Sequence, residues 1–151
     1  MRIAYFQVAP EALKALTASR PYIAASNIEP RLRALVELRV SQINGCAYCV
    51  NMHSQKARQA GEVQQRLDCL PVWRETPFYN ARERAALAWA ESVTLVSQSG
   101  VPDAVYEEVH GQFSDRDLVD LTLMISVMNA MNRMGISFRQ EPLARPVSND
   151  S

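Results

Sequence analysis

The chain has 151 residues, 48% of them hydrophobic and 21% charged, which fits one compact domain with a sizeable core and excludes a disordered chain. Lys plus Arg equal Asp plus Glu at 16 each, so no net field draws the protein to nucleic acid or to an anionic membrane. The first residues carry one arginine but neither a sustained apolar run nor a small-residue cleavage site, so the expectation is a cytoplasmic protein. Three cysteines without a secretory context argue against a disulfide framework and leave reactive, metal-binding or buried thiols as the alternatives.

The elements read as helices throughout, because the segments between prolines are rich in Ala, Leu, Met, Glu, Gln and Arg and glycine is scarce. Pro10 opens a short helix over residues 10–18, and Pro30 starts a second. That second helix carries Leu32, Leu35, Val36, Val40 and Ile43 at helical spacing until Asn44-Gly45 stops it. A third begins directly at Cys46 and ends near Gly61, with a further turn or two over residues 62–69. Residues 71–77 read as a loop carrying Trp73-Arg74-Glu75. Asn80 with Glu83 signals a capping box for a helix over residues 82–98, whose centre is apolar on nearly every side and must be covered all round. Pro102 starts a short helix to about Gly111, and Ser114 with Asp117 caps the last, over residues 115–139.

That last helix approaches membrane-spanning length, but Asp120, Asn129, Asn132 and Arg133 are too costly in lipid, so it reads as a buried helix of a soluble assembly. The organisation is a single helical domain over residues 1–140 with a flexible tail over 141–151. No internal repeat and no Gly-rich phosphate loop interrupts it.

The chemistry concentrates in Cys46-Ala47-Tyr48-Cys49 with His53. On a helix starting near Cys46, spacings of three and four put Cys46, Cys49 and His53 on one face. The unpaired N–H groups and positive dipole end of a first turn favour thiolate, and an imidazole one turn on can take the thiol proton. Two adjacent thiols can convert a sulfenic acid on one into a disulfide between both. Glu37, on the preceding helix, is the nearest carboxylate to orient the histidine, with a solvated glutamate as its alternative.

A closed zinc site lacks its fourth ligand in this stretch, with Glu37, His110 and Cys69 as the remaining donors, and inert packing of both cysteines also stays open. A thioredoxin-type site lacks its βαβ pattern. Met124, Met128, Met131 and Met134 form a stripe that reads as core or subunit-interface packing. Cys69 reads as a buried small hydrophobe, His110 as a helix-end residue, and Trp73 as an aromatic anchor for its loop.

The block from Leu38 to Cys49 with His53 resembles the alkylhydroperoxidase D and carboxymuconolactone decarboxylase family, and weaker similarity extends through Arg82–Leu87 and Asn129–Arg133. The CxxC pair favours the redox branch of that family over the decarboxylase branch. The resemblance implies an all-helical fold assembled as a homotrimer or homohexamer and a hydroperoxide substrate. It implies Cys49 as the peroxidatic thiol, Cys46 as the resolving thiol and His53 as the activating base. Electrons would come from an external dithiol such as a lipoyl domain or a thioredoxin-like protein, with no flavin, nicotinamide or metal. The alternatives are a carboxymuconolactone-type lyase or isomerase and a redox- or zinc-sensing helical module.

The sequence departs from the family pattern in two places. The family glutamate twelve residues before the first cysteine is replaced by Ala34, with Glu37 one turn nearer on the same face, and Tyr48 stands where a histidine is frequent between the cysteines.

Overall fold

The computed structural model describes residues 1–142, and these are helices and turns with no strand among them. In chain order they are α1 (Tyr5–Val8), α2 (Pro10–Leu16), α3 (Arg20–Ala24), α4 (Pro30–Asn44), α5 (Ala47–Gln59) and α6 (Gln64–Cys69), then α7 (Ala81–Thr94), α8 (Val96–Ser99), α9 (Asp103–His110) and α10 (Asp115–Ser137). A 3₁₀ segment, Leu70–Glu75, joins α6 to the loop before α7. No described helix is long and apolar enough to cross a membrane.

Helix α4 is the hub because its apolar residues point two ways. Leu32, Val36 and Val40, spaced by four, bury against Ala85, Ala86 and Trp89 of α7 and Leu121 and Ile125 of α10. Leu35 and Leu38 face instead the cluster of Ala57, Leu67, Leu70, Trp73 and Leu87. Each fully buried leucine contributes about 1.5–3 kcal/mol relative to exposure, so α4 draws its stability from both neighbours at once.

The centre of α7, Ala85 to Ala90, is buried entirely within the chain. The cover that its sequence demands therefore comes from α4, α9 and α10 and needs no second subunit.

Helix ends follow local chemistry. The Asn80 side chain accepts from the Glu83 N–H at 2.9 Å while Glu83 accepts from the Asn80 N–H at 2.9 Å, a complete capping box. Ser114 Oγ accepts from the Asp117 N–H at 3.1 Å. Three expectations are corrected here. The 82–98 helix breaks at Leu95 (φ −99°, ψ 30°) into α7 and α8. The 71–77 loop is largely the 3₁₀ segment, made possible because Pro71 falls at its start, where no N–H is needed. Residues 5–8 and 20–24 add the short helices α1 and α3 that periodicity over so few residues cannot reveal. Most of the 141–151 tail, residues 143–151, lies outside the described residues.

Asp120, Asn129 and Asn132 of α10 are buried and paired, which explains their place in so apolar a helix, while Arg133 is exposed. Asp120 accepts from Tyr22 Oη at 2.7 Å and lies 3.5 Å from Arg116 Nε. Asn44 Nδ2, at the end of α4, donates to Asn129 Oδ1 at 3.0 Å and to Asn132 Oδ1 at 2.9 Å. Asn132 in turn donates to Ser41 Oγ at 3.2 Å, and Asn129 to Thr94 Oγ1 at 3.1 Å. This network fixes where α4 ends. Gly45 then reverses the chain at φ 70°, a left-handed conformation open to glycine, and delivers Cys46 to the start of α5.

Candidate active site

Cys46 is the residue that caps α5, one position before the helix proper, and its sulfur accepts from the Cys49 N–H at 3.3 Å. The two cysteines are joined as a disulfide with Cα atoms 5.2 Å apart. Both are buried, and the reason lies partly in α10. A Cβ on Gly135 would stand 3.2 Å from Cys46 Sγ and 3.6 Å from Cys49 Sγ, so the absence of a side chain there lets α10 pass directly over the sulfurs.

Cys49 and His53, one turn apart on α5, both line a cavity of about 270 Å³ between α3, α4, α5 and α10. Its walls include Met124, Met128 and Met131 of α10; Met124 and Met128 pack in the core, as the stripe was read, and also border this space. Ala34 and Glu37 line it from α4. At the Cys49 end, the N-terminal segment straps across: Arg2 N–H donates to Phe138 O at 2.7 Å, the Tyr5 ring lies 5.4 Å from that of Phe138, and Tyr5 Oη donates to Gln140 Oε1 at 2.6 Å. Tyr5, Tyr48 and Gln140 thereby join the lining. Burial, and next the neighbouring Tyr48, push the Tyr5 phenol above its ordinary value.

His53 is 1% exposed, and its Nδ1 lies 3.2 Å from Glu37 Oε2. The approach is close enough for an ion pair, yet angled so that neither ring nitrogen completes an aligned hydrogen bond. Burial pushes the Glu37 carboxyl up, but the His53 ring beside it, with Lys56 and Arg20 beyond, outweighs burial and holds it below its ordinary value. The structure therefore brings together all four residues singled out in the sequence, Cys46, Cys49, His53 and Glu37. Glu37 is half-buried at the cavity wall and not on the solvated surface.

The arrangement supplies two sulfurs at a helix N-terminus, an imidazole on the same face, a carboxylate against that imidazole and an apolar space in front of Cys49. Among the described residues no three His, Cys, Asp or Glu side chains gather to hold a metal. The donors considered for such a site are elsewhere: His110 Nε2 pairs with Asp115 Oδ1 at 2.9 Å and stacks on Tyr106, and Cys69 ends α6. Cys69 is half-buried and not the fully buried small hydrophobe that its apolar neighbours suggest. Trp73 is 4% exposed, and its indole donates to Glu91 Oε1 at 2.8 Å, an anchor for its segment.

Sequence reasoning missed Tyr5, Gln140 and the cavity-facing methionines. Tyr5 and Gln140 are 135 residues apart and meet only because α1 docks on the end of α10. The methionine stripe was visible, but which of its sides met a void depended on how α3 and α5 pack.

The profile of the carboxymuconolactone decarboxylase family matches residues 10–92 of this chain. The uncharacterized protein YdfG of Bacillus subtilis is 40% identical over 136 residues, 90% of this chain and 92% of the relative. The crystal structure of ATU0492 from Agrobacterium tumefaciens, a protein of unknown function with a suggested antioxidant-defence role as AhpD, superimposes with a TM-score of 0.92 at 40% identity, over 95% of this chain and 99% of that one. An uncharacterized peroxidase-related protein from Silicibacter sp. TM1040 gives a TM-score of 0.78 at 29% identity, over 89% of this chain and 72% of that one. The chain belongs to the carboxymuconolactone decarboxylase family, with the all-helical fold of its alkylhydroperoxidase D-like members.

Proposed function

We propose that this protein is a thiol-dependent hydroperoxide reductase working through Cys46 and Cys49. The observation that carries the reading is the pairing of a closable dithiol at the head of α5 with a cavity that reaches only one of its sulfurs, Cys49, beside the His53–Glu37 pair.

In the reduced protein, His53 takes the Cys49 proton and the Glu37 carboxylate offsets the charge the ring gains. The Cys49 thiolate attacks the terminal oxygen of a hydroperoxide, the O–O bond breaks, and the alkoxide leaves as an alcohol with a proton from His53. Cys49 is then a sulfenic acid. The Cys46 sulfur attacks it, the disulfide forms, and the hydroxyl departs as water with the Cys46 proton. An external dithiol restores both thiols through a mixed disulfide, so one hydroperoxide and one dithiol become one alcohol, one water and one disulfide. A lyase or isomerase reading leaves both sulfurs idle.

The partners follow from the same reading: a lipoyl domain or thioredoxin-like protein as reductant, and a homotrimer or homohexamer as the working form. Exposed Val119 and Ile136 on α10 supply apolar surface for assembly.

The test is steady-state consumption of cumene hydroperoxide with dihydrolipoamide. Many turnovers per protein, abolished in Cys49→Ser, are expected. A single stoichiometric oxidation without turnover contradicts an enzyme and favours a sensor.

A further inference from the structure

The cavity in front of Cys49 is apolar along one wall and cationic at one end. Arg20, Arg33 and Lys56 line it together with a single carboxylate, Glu37, which is engaged with His53. Arg33 Nη1 is committed to the carbonyl oxygens of Ile23 and Ala24 at 2.9 and 3.3 Å. Arg20 and Lys56 have no carboxylate within 4 Å among the described residues. Two cations thus face a space whose other walls include the apolar Ile23, Met124, Met128 and Met131. Burial lowers the Lys56 ammonium; Glu37 raises it and Arg20 lowers it again, leaving it below its ordinary value. A bound anion relieves the repulsion between the two cations.

Position along α5 gives the cavity a direction. Cys49, His53 and Lys56 are spaced by four and three and share one face, so Lys56 lies about 10 Å along the helix axis from Cys49. An apolar cavity of about 150 Å³ already admits benzene, so the roughly 270 Å³ here admits a substituted aromatic or a medium-length acyl body. The buried His53, with no aligned partner for either ring nitrogen, stands between the two ends.

We propose that the substrate of this site is an organic hydroperoxide bearing a carboxylate, with its apolar body against Met124, Met128 and Met131, its carboxylate on Arg20 and Lys56, and its peroxide at Cys49. The inference rests on reading the cavity as the substrate site of the proposed peroxidase. Charge-assisted hydrogen bonds from a guanidinium and an ammonium give the carboxylate its affinity, and the distance between the cations and Cys49 sets which oxygen is presented to the thiolate. Hydrogen peroxide, lacking both body and anion, gains neither contact.

Two pairs of molecules test it. 4-Isopropylbenzoate and 4-isopropylbenzamide, which cannot be turned over, are titrated calorimetrically into the disulfide form, and cumene hydroperoxide is compared with its para-carboxylate in steady state. The benzoate is expected to bind at least about tenfold more tightly than the amide, and the carboxylated peroxide to show a similar advantage in kcat/KM. Arg20→Met and Lys56→Met, at exposed and half-buried positions, should each reduce that advantage, and the double variant should erase it. Equal binding of benzoate and amide, or an advantage that survives in the double variant, overturns the anion site even if both peroxides are consumed. A benzoate preference with neither peroxide consumed overturns the peroxidase reading and leaves the anion site standing.

Discussion

Two carboxylates of this protein, Glu62 and Glu37, are both held below their ordinary values, yet they sit in opposite kinds of surroundings. The Glu62 side chain is fully buried, and burial alone would raise it, but Arg66 and Arg31 reverse the shift. Arg31 Nε and Arg66 Nε each approach one of its oxygens at 2.8 Å, and Arg66 Nη2 continues to Glu83 Oε1 at 2.6 Å. Every acceptor there has a guanidinium, and the network ties α4, α6 and α7 together. Glu37 has one close partner, a histidine with misaligned nitrogens, and faces a cavity with two cations standing off. A saturated network has nothing left to offer a ligand and serves the fold; an unsaturated one, kept in place by its neighbours, is free to serve chemistry.

Substitutions at the two sites should separate these roles. Cys49→Ser should abolish both the disulfide and peroxide consumption, whereas Cys46→Ser should permit one oxidation and then stall or over-oxidise; the reverse order in peroxide assays would exchange the assigned roles. His53→Ala should slow peroxide-driven disulfide formation about a hundredfold without preventing it, and an unchanged stopped-flow rate would remove the histidine from the mechanism. Glu62→Ala strands buried guanidinium charge and should cost about 3 kcal/mol in denaturant unfolding, while peroxide kinetics per folded molecule stay as in the parent.

Glu37→Gln should slow oxidation less than loss of His53 does, and should also lower stability at neutral pH, where the ionised carboxylate contributes. The deficit shrinks in acid. A carboxyl lowered by folding contributes stability above its unfolded value of 4.5, and that contribution disappears as pH falls through the lower folded value. The variant's unfolding free energy should therefore fall less steeply than the parent's below about pH 4.5; parallel curves would mean that Glu37 gains nothing from His53, Lys56 and Arg20.

Much of this contrast was legible in the sequence, because the residues that carry it are local. Pro30, the apolar residues of α4 at helical spacing, Asn44-Gly45 and the CxxC-histidine spacing lie within one helix-turn-helix, so helical periodicity alone puts Cys46, Cys49 and His53 on one face and Glu37 on the preceding helix. What was not legible depended on contacts across the chain. The Tyr5–Gln140 strap, the glycine on α10 that makes room for the sulfurs, and the cations at the far end of the cavity each join segments that no period or spacing connects. The Glu62 network was hidden for a similar reason: Glu62 and Arg66 are four residues apart, but Arg31 and Glu83 come from α4 and α7, and only the fold brings them to that pair. The apolar centre of α7 was recognised, but its cover turned out to be internal, since four small alanines let neighbouring helices close on it.

The most direct test of the central claim is the intact mass of the reduced protein before and after one equivalent of cumene hydroperoxide, with peptide mapping of all three cysteines. Loss of two hydrogens and a Cys46–Cys49 bridge, with Cys69 untouched, is the predicted result. An unchanged mass, or oxygen added to an isolated cysteine without a bridge, would contradict the assignment of Cys46 and Cys49 as a redox pair.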